Sequence, residues 1–189
     1  MWSLGVFAQT PFDSVAGDEA GAVAHGPGPQ NPMAGPAPFD SAQGKPTRND
    51  TMHLTVHSSI SATTATPGKP VSLAFDVTPK RNMHVYAPGK HDYQVITVKV
   101  DPQPWLRVQP TKYPPSEIYH FKELDEKVET YGKPFKLVQE IMILDTPEAK
   151  KALAAGPVTL SGRLEYQACD DKVCYAPARI PVSFALTVK

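Results

Sequence analysis

From residue 51 onward the chain alternates in character every second residue. Leu54 and Val56 alternate with His53, Thr55 and His57. Val71, Leu73, Phe75 and Val77 alternate with Ser72, Ala74, Asp76 and Thr78. The runs Val95–Val100, Phe135–Leu144, Val158–Tyr166 and Ile180–Val188 repeat the pattern. Side chains two apart share a face only in a strand, so each run predicts a strand with one buried face. Pro67-Gly68, Pro88-Gly89, Pro114-Pro115, Gly132-Lys133-Pro134 and Gly156-Pro157 break the runs as turns. One stretch reads as helix. Thr146 suits the cap, Pro147 the first position, Glu148 the first turn and Gly156 the stop, around a body of Ala149–Ala155. Many short strands with almost no helix predict an all-β antiparallel sandwich, and 51–189 is long enough for one core.

The first 50 residues differ. They hold seven prolines and seven glycines, and large aliphatic side chains are scarce after Phe7. Such a segment buries too little apolar surface to offset the entropy of ordering it. Residues 9–50 are therefore expected to be a disordered Pro/Gly-rich tail. Its repeat, Pro11-Phe12-Asp13-Ser14 and Pro38-Phe39-Asp40-Ser41, is low complexity rather than a solenoid. Residues 1–8 end in Val6-Phe7-Ala8 before Gln9, like the close of an export signal at its cleavage site. They read as the remnant of a signal peptide without its basic start. The alternative is a random apolar start.

The formal net charge is zero, which argues against nucleic acid or an anionic membrane surface as partner. No apolar run is long enough for a membrane-spanning helix. Two cysteines exclude both a framework of several disulfides and a zinc site built from cysteines alone.

Both cysteines lie in Tyr166-Gln167-Ala168-Cys169-Asp170-Asp171-Lys172-Val173-Cys174-Tyr175-Ala176-Pro177, between two strongly alternating strands. This predicts a hairpin-like loop with one thiol near each strand end, within reach of a disulfide. Closing a loop of about six residues stabilises by roughly 2 kcal/mol, against almost 5 for a 100-residue loop. A loop-borne bridge of this kind suits exchange with a partner, because it opens without unfolding a core. A plain structural disulfide, or two unrelated thiols, remains the alternative. The spacing is not C-x-x-C, and no helix follows to lower a thiol pKa. Asp170 and Asp171 would raise a neighbouring thiol pKa and Lys172 would lower it.

The run Tyr166-Gln167-Ala168-Cys169 through Cys174 and Pro177 resembles the N-terminal periplasmic domain of the thiol:disulfide interchange protein DsbD. His84-Val85-Tyr86-Ala87-Pro88-Gly89, Glu129-Thr130-Tyr131-Gly132, the strand from Phe135 and the order of elements over 51–189 agree with it. The resemblance implies an immunoglobulin-like sandwich that relays electrons as a dithiol/disulfide pair, a component of a protein-disulfide reductase. It implies a thioredoxin-like donor domain of a membrane electron transporter. The implied acceptors are a periplasmic disulfide isomerase or a thioredoxin-like protein of cytochrome c maturation. Cys174 would form the mixed disulfide and Cys169 would resolve it, with no metal or organic cofactor. The location implied is periplasmic. The loop between the cysteines is one residue shorter than in the best-known members.

In that family an aromatic cap loop shields the cysteines. The corresponding stretch is Tyr119–Lys127, with Leu124 nearest the cap aromatic and Phe121 close by. The alternative for this stretch is an ordinary strand connection with an exposed Phe121. The family's transmembrane segments and thioredoxin domain are not in this sequence, so the donor is expected to be a separate polypeptide unless the chain is a fragment.

Other groups read as structural. His84, His91 and His120 lack metal-ligand spacing and are expected to be solvated, and Met83 beside His84 is weak ground for copper. Asp125 and Glu126 read as solvated loop charges rather than proton-transfer groups. Trp105, Tyr86, Tyr93 and Tyr113 read as core or rim. The expected protein is an exported thiol–disulfide exchange domain. Its rival is a non-catalytic secreted sandwich that binds a partner and carries Cys169–Cys174 as a structural bridge.

Overall fold

The structure is a computed structural model and describes residues 46–122 and 125–189. The expected signal remnant over 1–8, all but the end of the expected tail over 9–50, and Leu124 lie outside the described residues.

The strands in chain order begin with β1 (Thr47–Asp50), β2 (Leu54–Ile60), β3 (Thr64–Ala65), β4 (Pro70–Pro79), β5 (His84–Tyr86) and β6 (Thr97–Val100). They continue with β7 (Leu106–Val108), β8 (Glu117–Phe121), β9 (Glu126–Tyr131) and β10 (Phe135–Ile143). After the helix α1 (Pro147–Leu153) come β11 (Val158–Tyr166), β12 (Ala168–Cys169) and β13 (Ala178–Val188). One sheet runs β1-β2-β4-β10-β7 and a second runs β3-β13-β11-β6. Every pairing in them is antiparallel except β3 with β13. The fold is an immunoglobulin-like β-sandwich; the alternation predicted the antiparallel sandwich, and the resemblance implied its immunoglobulin-like form.

The alternating positions supply the core. Leu54, Val56, Leu73, Phe75, Leu137, Ile141 and Ile143 are buried on the first sheet. Leu160, Leu164, Ile180, Val182, Phe184 and Leu186 are buried on the second. The Phe75 and Phe184 rings meet edge to face across the sheets, 6.0 Å between centroids. Burying each such side chain stabilises by about 1.5–3 kcal/mol. The helix forms as predicted: the Thr146 hydroxyl accepts from the Ala149 N–H, Pro147 opens the first turn, and Gly156 leaves at φ +117°.

The fold begins earlier than residue 51. Thr47–Asp50 pairs with β2 from Thr47↔Ser58 to Asp50↔Thr55. These four residues have no apolar alternation. Their place is set instead by polar contacts, the Thr55 hydroxyl donating to Asp50 Oδ1 and Lys80 pairing with the same carboxylate.

A third, smaller sheet positions the cysteines. Its order is β12-β5-β9-β8, all antiparallel. The stretch expected as a cap loop is thus a β-hairpin, β8 and β9, on the edge of this sheet. Alternation in β8 is hidden in the sequence because the apolar Ile118 is exposed beside His120, and Glu117, in phase with Tyr119 and Phe121, is exposed as well. In β5 all three residues are buried, so no alternation exists to be read.

Candidate redox site

The chain leaves β11 at Tyr166, and β12 departs from the second sheet to pair with β5, placing Cys169 opposite His84. Gln167 holds this departure at two points. Its carbonyl oxygen accepts from the Gln94 N–H at 3.1 Å, and its amide donates to the Tyr175 carbonyl at 3.1 Å. The chain then turns back tightly. The Asp170 N–H donates to the Val173 carbonyl at 3.0 Å. Asp170 Oδ1 accepts from the Lys172 and Val173 N–H groups at 2.8 and 2.7 Å. Those two backbone donors, followed by the Tyr175 hydroxyl, hold the Asp170 carboxyl below its ordinary range. The turn brings Cys169 and Cys174 into one antiparallel bridge, joined as a disulfide with their Cα atoms 4.1 Å apart.

The two sulfurs are not equivalent. Cys169 is fully buried, whereas Cys174 is exposed. Cys169 belongs to a small apolar cluster with Tyr86, Phe121 and Val128, against which Tyr93 and Tyr119 pack. This cluster is distinct from the main sandwich core. The disulfide therefore sits in its own annex, and disturbing it leaves the large core in place.

Tyr86 is the residue that the sequence did not single out. Read there as core or rim, it is buried, and its hydroxyl touches both sulfurs, 2.8 Å from Cys169 Sγ and 3.2 Å from Cys174 Sγ. Burial, then Tyr93 and Glu126, push its pKa well up, so it is a protonated donor at any physiological pH. Tyr93 stacks flat on it, with ring centroids 4.2 Å apart and 4° between planes. The Tyr93 hydroxyl donates to Glu126 Oε2 at 2.7 Å. Glu126 is thus no free loop charge but the first residue of β9, engaged with the site's aromatic stack. Asp125 conforms to expectation: its side chain is exposed and meets His120 at 2.9 Å.

Phe121 is buried, which removes the reading of an exposed Phe in an ordinary connection. Its ring lies 5.1 Å from that of His84, 6.5 Å from Tyr86 and 4.7 Å from Tyr119. The Tyr119 hydroxyl donates to Asp171 Oδ1 at 2.5 Å, tying the hairpin to the cysteine loop.

The histidines do not converge. His84, expected in solvent, is buried and stacked on Tyr119, with centroids 4.3 Å apart. Burial lowers its pKa, against the opposing pull of Asp171 and Asp170. His91 bonds the Ala87 carbonyl at 2.8 Å, and His120 sits on the hairpin. No group of three or more His, Cys, Asp or Glu suited to a metal ion occurs among the described residues. Trp105 is buried in the main core and Tyr113 packs against it, as expected.

Fold and site together define a β-sandwich domain bearing a loop-borne disulfide between a buried and an exposed cysteine. The family of the thiol:disulfide interchange protein DsbD, N-terminal domain, matches residues 51–184, and the chain belongs to this family. Among solved structures it is similar to the N-terminal periplasmic domain of ScsB from Proteus mirabilis, at 14% identity and a TM-score of 0.48. That likeness covers 75% of this chain and 49% of the ScsB chain, so the chain spans about half the length of that structure. The GAE domain of GGA2p from Saccharomyces cerevisiae is also similar, at 13% identity and a TM-score of 0.37, covering 75% of this chain and 96% of that one. No curated protein matches the sequence. Among the described residues no helix is long and apolar enough to cross a membrane.

Proposed function

We propose that this chain is a periplasmic thiol–disulfide exchange domain. It takes two electrons from a thioredoxin-like domain of a membrane electron transporter. It passes them to a periplasmic disulfide isomerase or to a thioredoxin-like protein of cytochrome c maturation. The observation that carries the reading is the asymmetry of the pair, an exposed Cys174 bonded to a buried Cys169.

A donor thiolate can reach only the outer sulfur. It attacks Cys174 Sγ, the Cys169–Cys174 bond breaks, and Cys169 leaves with the electron pair as a buried thiolate. That charge needs a donor, and the Tyr86 hydroxyl is in hydrogen-bond range. The donor's second thiol then attacks its own sulfur in the mixed disulfide. Cys174 is freed, and the donor becomes a disulfide. In the onward step the Cys174 thiolate attacks an acceptor disulfide. Cys169 then attacks Cys174, which restores the bridge and releases the acceptor as a dithiol. Thiols alone balance the reaction, with no metal or organic cofactor. Phe121, packed in the cluster around Cys169, and Leu124 shield the pair until a partner displaces them.

The test uses Cys169→Ser, which keeps only the outer thiol. It is mixed with a thioredoxin-like domain whose single remaining cysteine is activated as a thionitrobenzoate disulfide. A stable mixed disulfide through Cys174 is expected, while Cys174→Ser forms it far more slowly. Equal trapping by both variants, or by neither, removes the reading in favour of a binding module with a structural bridge.

A further inference from the structure

We propose that Asp170 and Tyr175 are a positioning pair that holds the cysteine loop closed after the disulfide is cut, so that Cys169 stays within reach of a mixed disulfide on Cys174. The inference rests on the exchange reading above and names the residues that set its second step.

Asp170 follows Cys169 and Tyr175 follows Cys174, so a bond between them closes the same loop as the disulfide, shifted by one residue. The Tyr175 hydroxyl makes that bond, donating to Asp170 Oδ2 at 3.0 Å. The other oxygen, Asp170 Oδ1, accepts from the Lys172 and Val173 N–H groups at 2.8 and 2.7 Å. One carboxylate thus shapes the turn and ties its two ends. Tyr175 is itself anchored outside the turn. Its N–H donates to the Ala168 carbonyl at 2.9 Å, and its carbonyl accepts from the Gln167 amide at 3.1 Å. Its ring packs on the buried His53, with centroids 4.5 Å apart. His53 Nδ1 in turn lies 3.3 Å from the Tyr166 hydroxyl at the end of β11. None of these contacts involves a sulfur. Cleaving the disulfide removes one closure of the loop and leaves the other in place.

Two closures of one loop assist each other. The disulfide forms only from the closed loop, so its equilibrium constant is scaled by the closed fraction of the dithiol state. A hydrogen bond that exists only in the closed loop raises that fraction by at most its own Boltzmann factor, about fivefold for an ordinary bond. The same proximity speeds the intramolecular attack of Cys169. The pair therefore favours ring closure and shortens the life of the mixed disulfide.

The experiment mixes the dithiol protein, prepared with dithiothreitol and desalted, with oxidised glutathione. The Cys174 thiolate attacks one glutathione sulfur, and the other glutathione leaves as thiolate. The Cys169 thiolate then attacks Cys174 Sγ and expels the second glutathione thiolate, which restores the bridge. Acid quenching and mass spectrometry count dithiol, mixed disulfide and disulfide with time. The first step depends on glutathione concentration and the second does not, so the two rates separate. Circular dichroism confirms the fold of each variant. Tyr175→Phe is expected to slow the second step several-fold, at most about fivefold, and the first step much less. It is also expected to make the reduction potential less negative by up to about 20 mV, a tenfold change being about 30 mV. Asp170→Ala is expected to slow the second step at least as much, and Tyr175→Phe to add nothing in that background. Asp170→Asn loses the same charge, but its carbonyl oxygen serves the turn and its amide donates to the Tyr175 oxygen, so it is expected to keep most of the rate. An unchanged second step in Tyr175→Phe, a first step slowed as much as the second, full additivity with Asp170→Ala, or Asp170→Asn as slow as Asp170→Ala overturns the proposal. The exchange reading fails separately, if the thioredoxin-like domain gives no mixed disulfide with Cys169→Ser while the glutathione steps behave as expected.

Discussion

At the scale of single residues, backbone packing and site chemistry make different demands. Gly162 sits in the middle of β11, paired with Val100 on one side and Val182 on the other. A Cβ there would lie 2.5 Å from the Lys99 carbonyl oxygen and 3.0 Å from Val100 Cα, both backbone atoms that cannot swing away. Gly162→Ala is expected to destabilise by about 1–3 kcal/mol, as overpacking does. Urea unfolding measures it, and a variant within error of the parent contradicts this account of the contact. The cysteines were legible as a pair because their spacing and flanking strands are local facts. Tyr86 was not. It reaches the sulfurs because β12 pairs with β5, and residues more than 80 positions apart leave no local trace of that register. Glu126 was misread for a similar reason, since its partner Tyr93 lies in a loop 33 residues away.

At the scale of elements, legibility followed burial on one face. The β4, β10 and β13 strands bury alternate residues, and β11 buries Leu160, Leu164 and Tyr166 in the same phase with Glu165 added; all four were visible in the sequence. The β5 strand buries every residue, and β12 has only two, so neither has a period to detect. The β8–β9 hairpin carries charged residues through its turn and along β8 and reads as a loop. Its place on the third sheet makes the stretch expected to shield the cysteines a hairpin rather than a loop. Two tyrosine–carboxylate bonds hold it, Tyr119 to Asp171 and Tyr93 to Glu126. Replacing Phe121 and Leu124 together by Ala is expected to speed reduction of the disulfide by dithiothreitol several-fold, with little change in global stability. Stopped-flow reduction kinetics test this. An unchanged rate means that the hairpin does not shield the pair.

At the scale of the whole domain, the disulfide contributes little and the core contributes most. The bridge closes a sequence separation of 5, worth roughly 2 kcal/mol of loop entropy, so the reduced protein is expected to stay folded. Acid works in a different way. Burial lowers the pKa of both His53 and His84 from the ordinary 6.5. The unfolded chain therefore takes up protons near that value while the folded chain does not. Stability is full above it and falls as pH drops below it. The depressed Asp50, Glu165 and Asp170 carboxyls act in the same direction, their contribution being lost below their ordinary range. Thermal unfolding is expected at a lower midpoint at pH 5 than at pH 7. His53→Gln combined with His84→Gln is expected to flatten that difference, and a midpoint that rises on acidification would contradict the burial of neutral histidines.

The central claim is that Cys169–Cys174 is an exchange centre and not a fastening. Its reduction potential, measured by equilibration with glutathione and dithiothreitol couples, tests that most directly. An exchangeable pair fed by thioredoxin-like donors is expected above about −300 mV. A potential well below that value would put the bridge out of reach of such donors and mark it as structural.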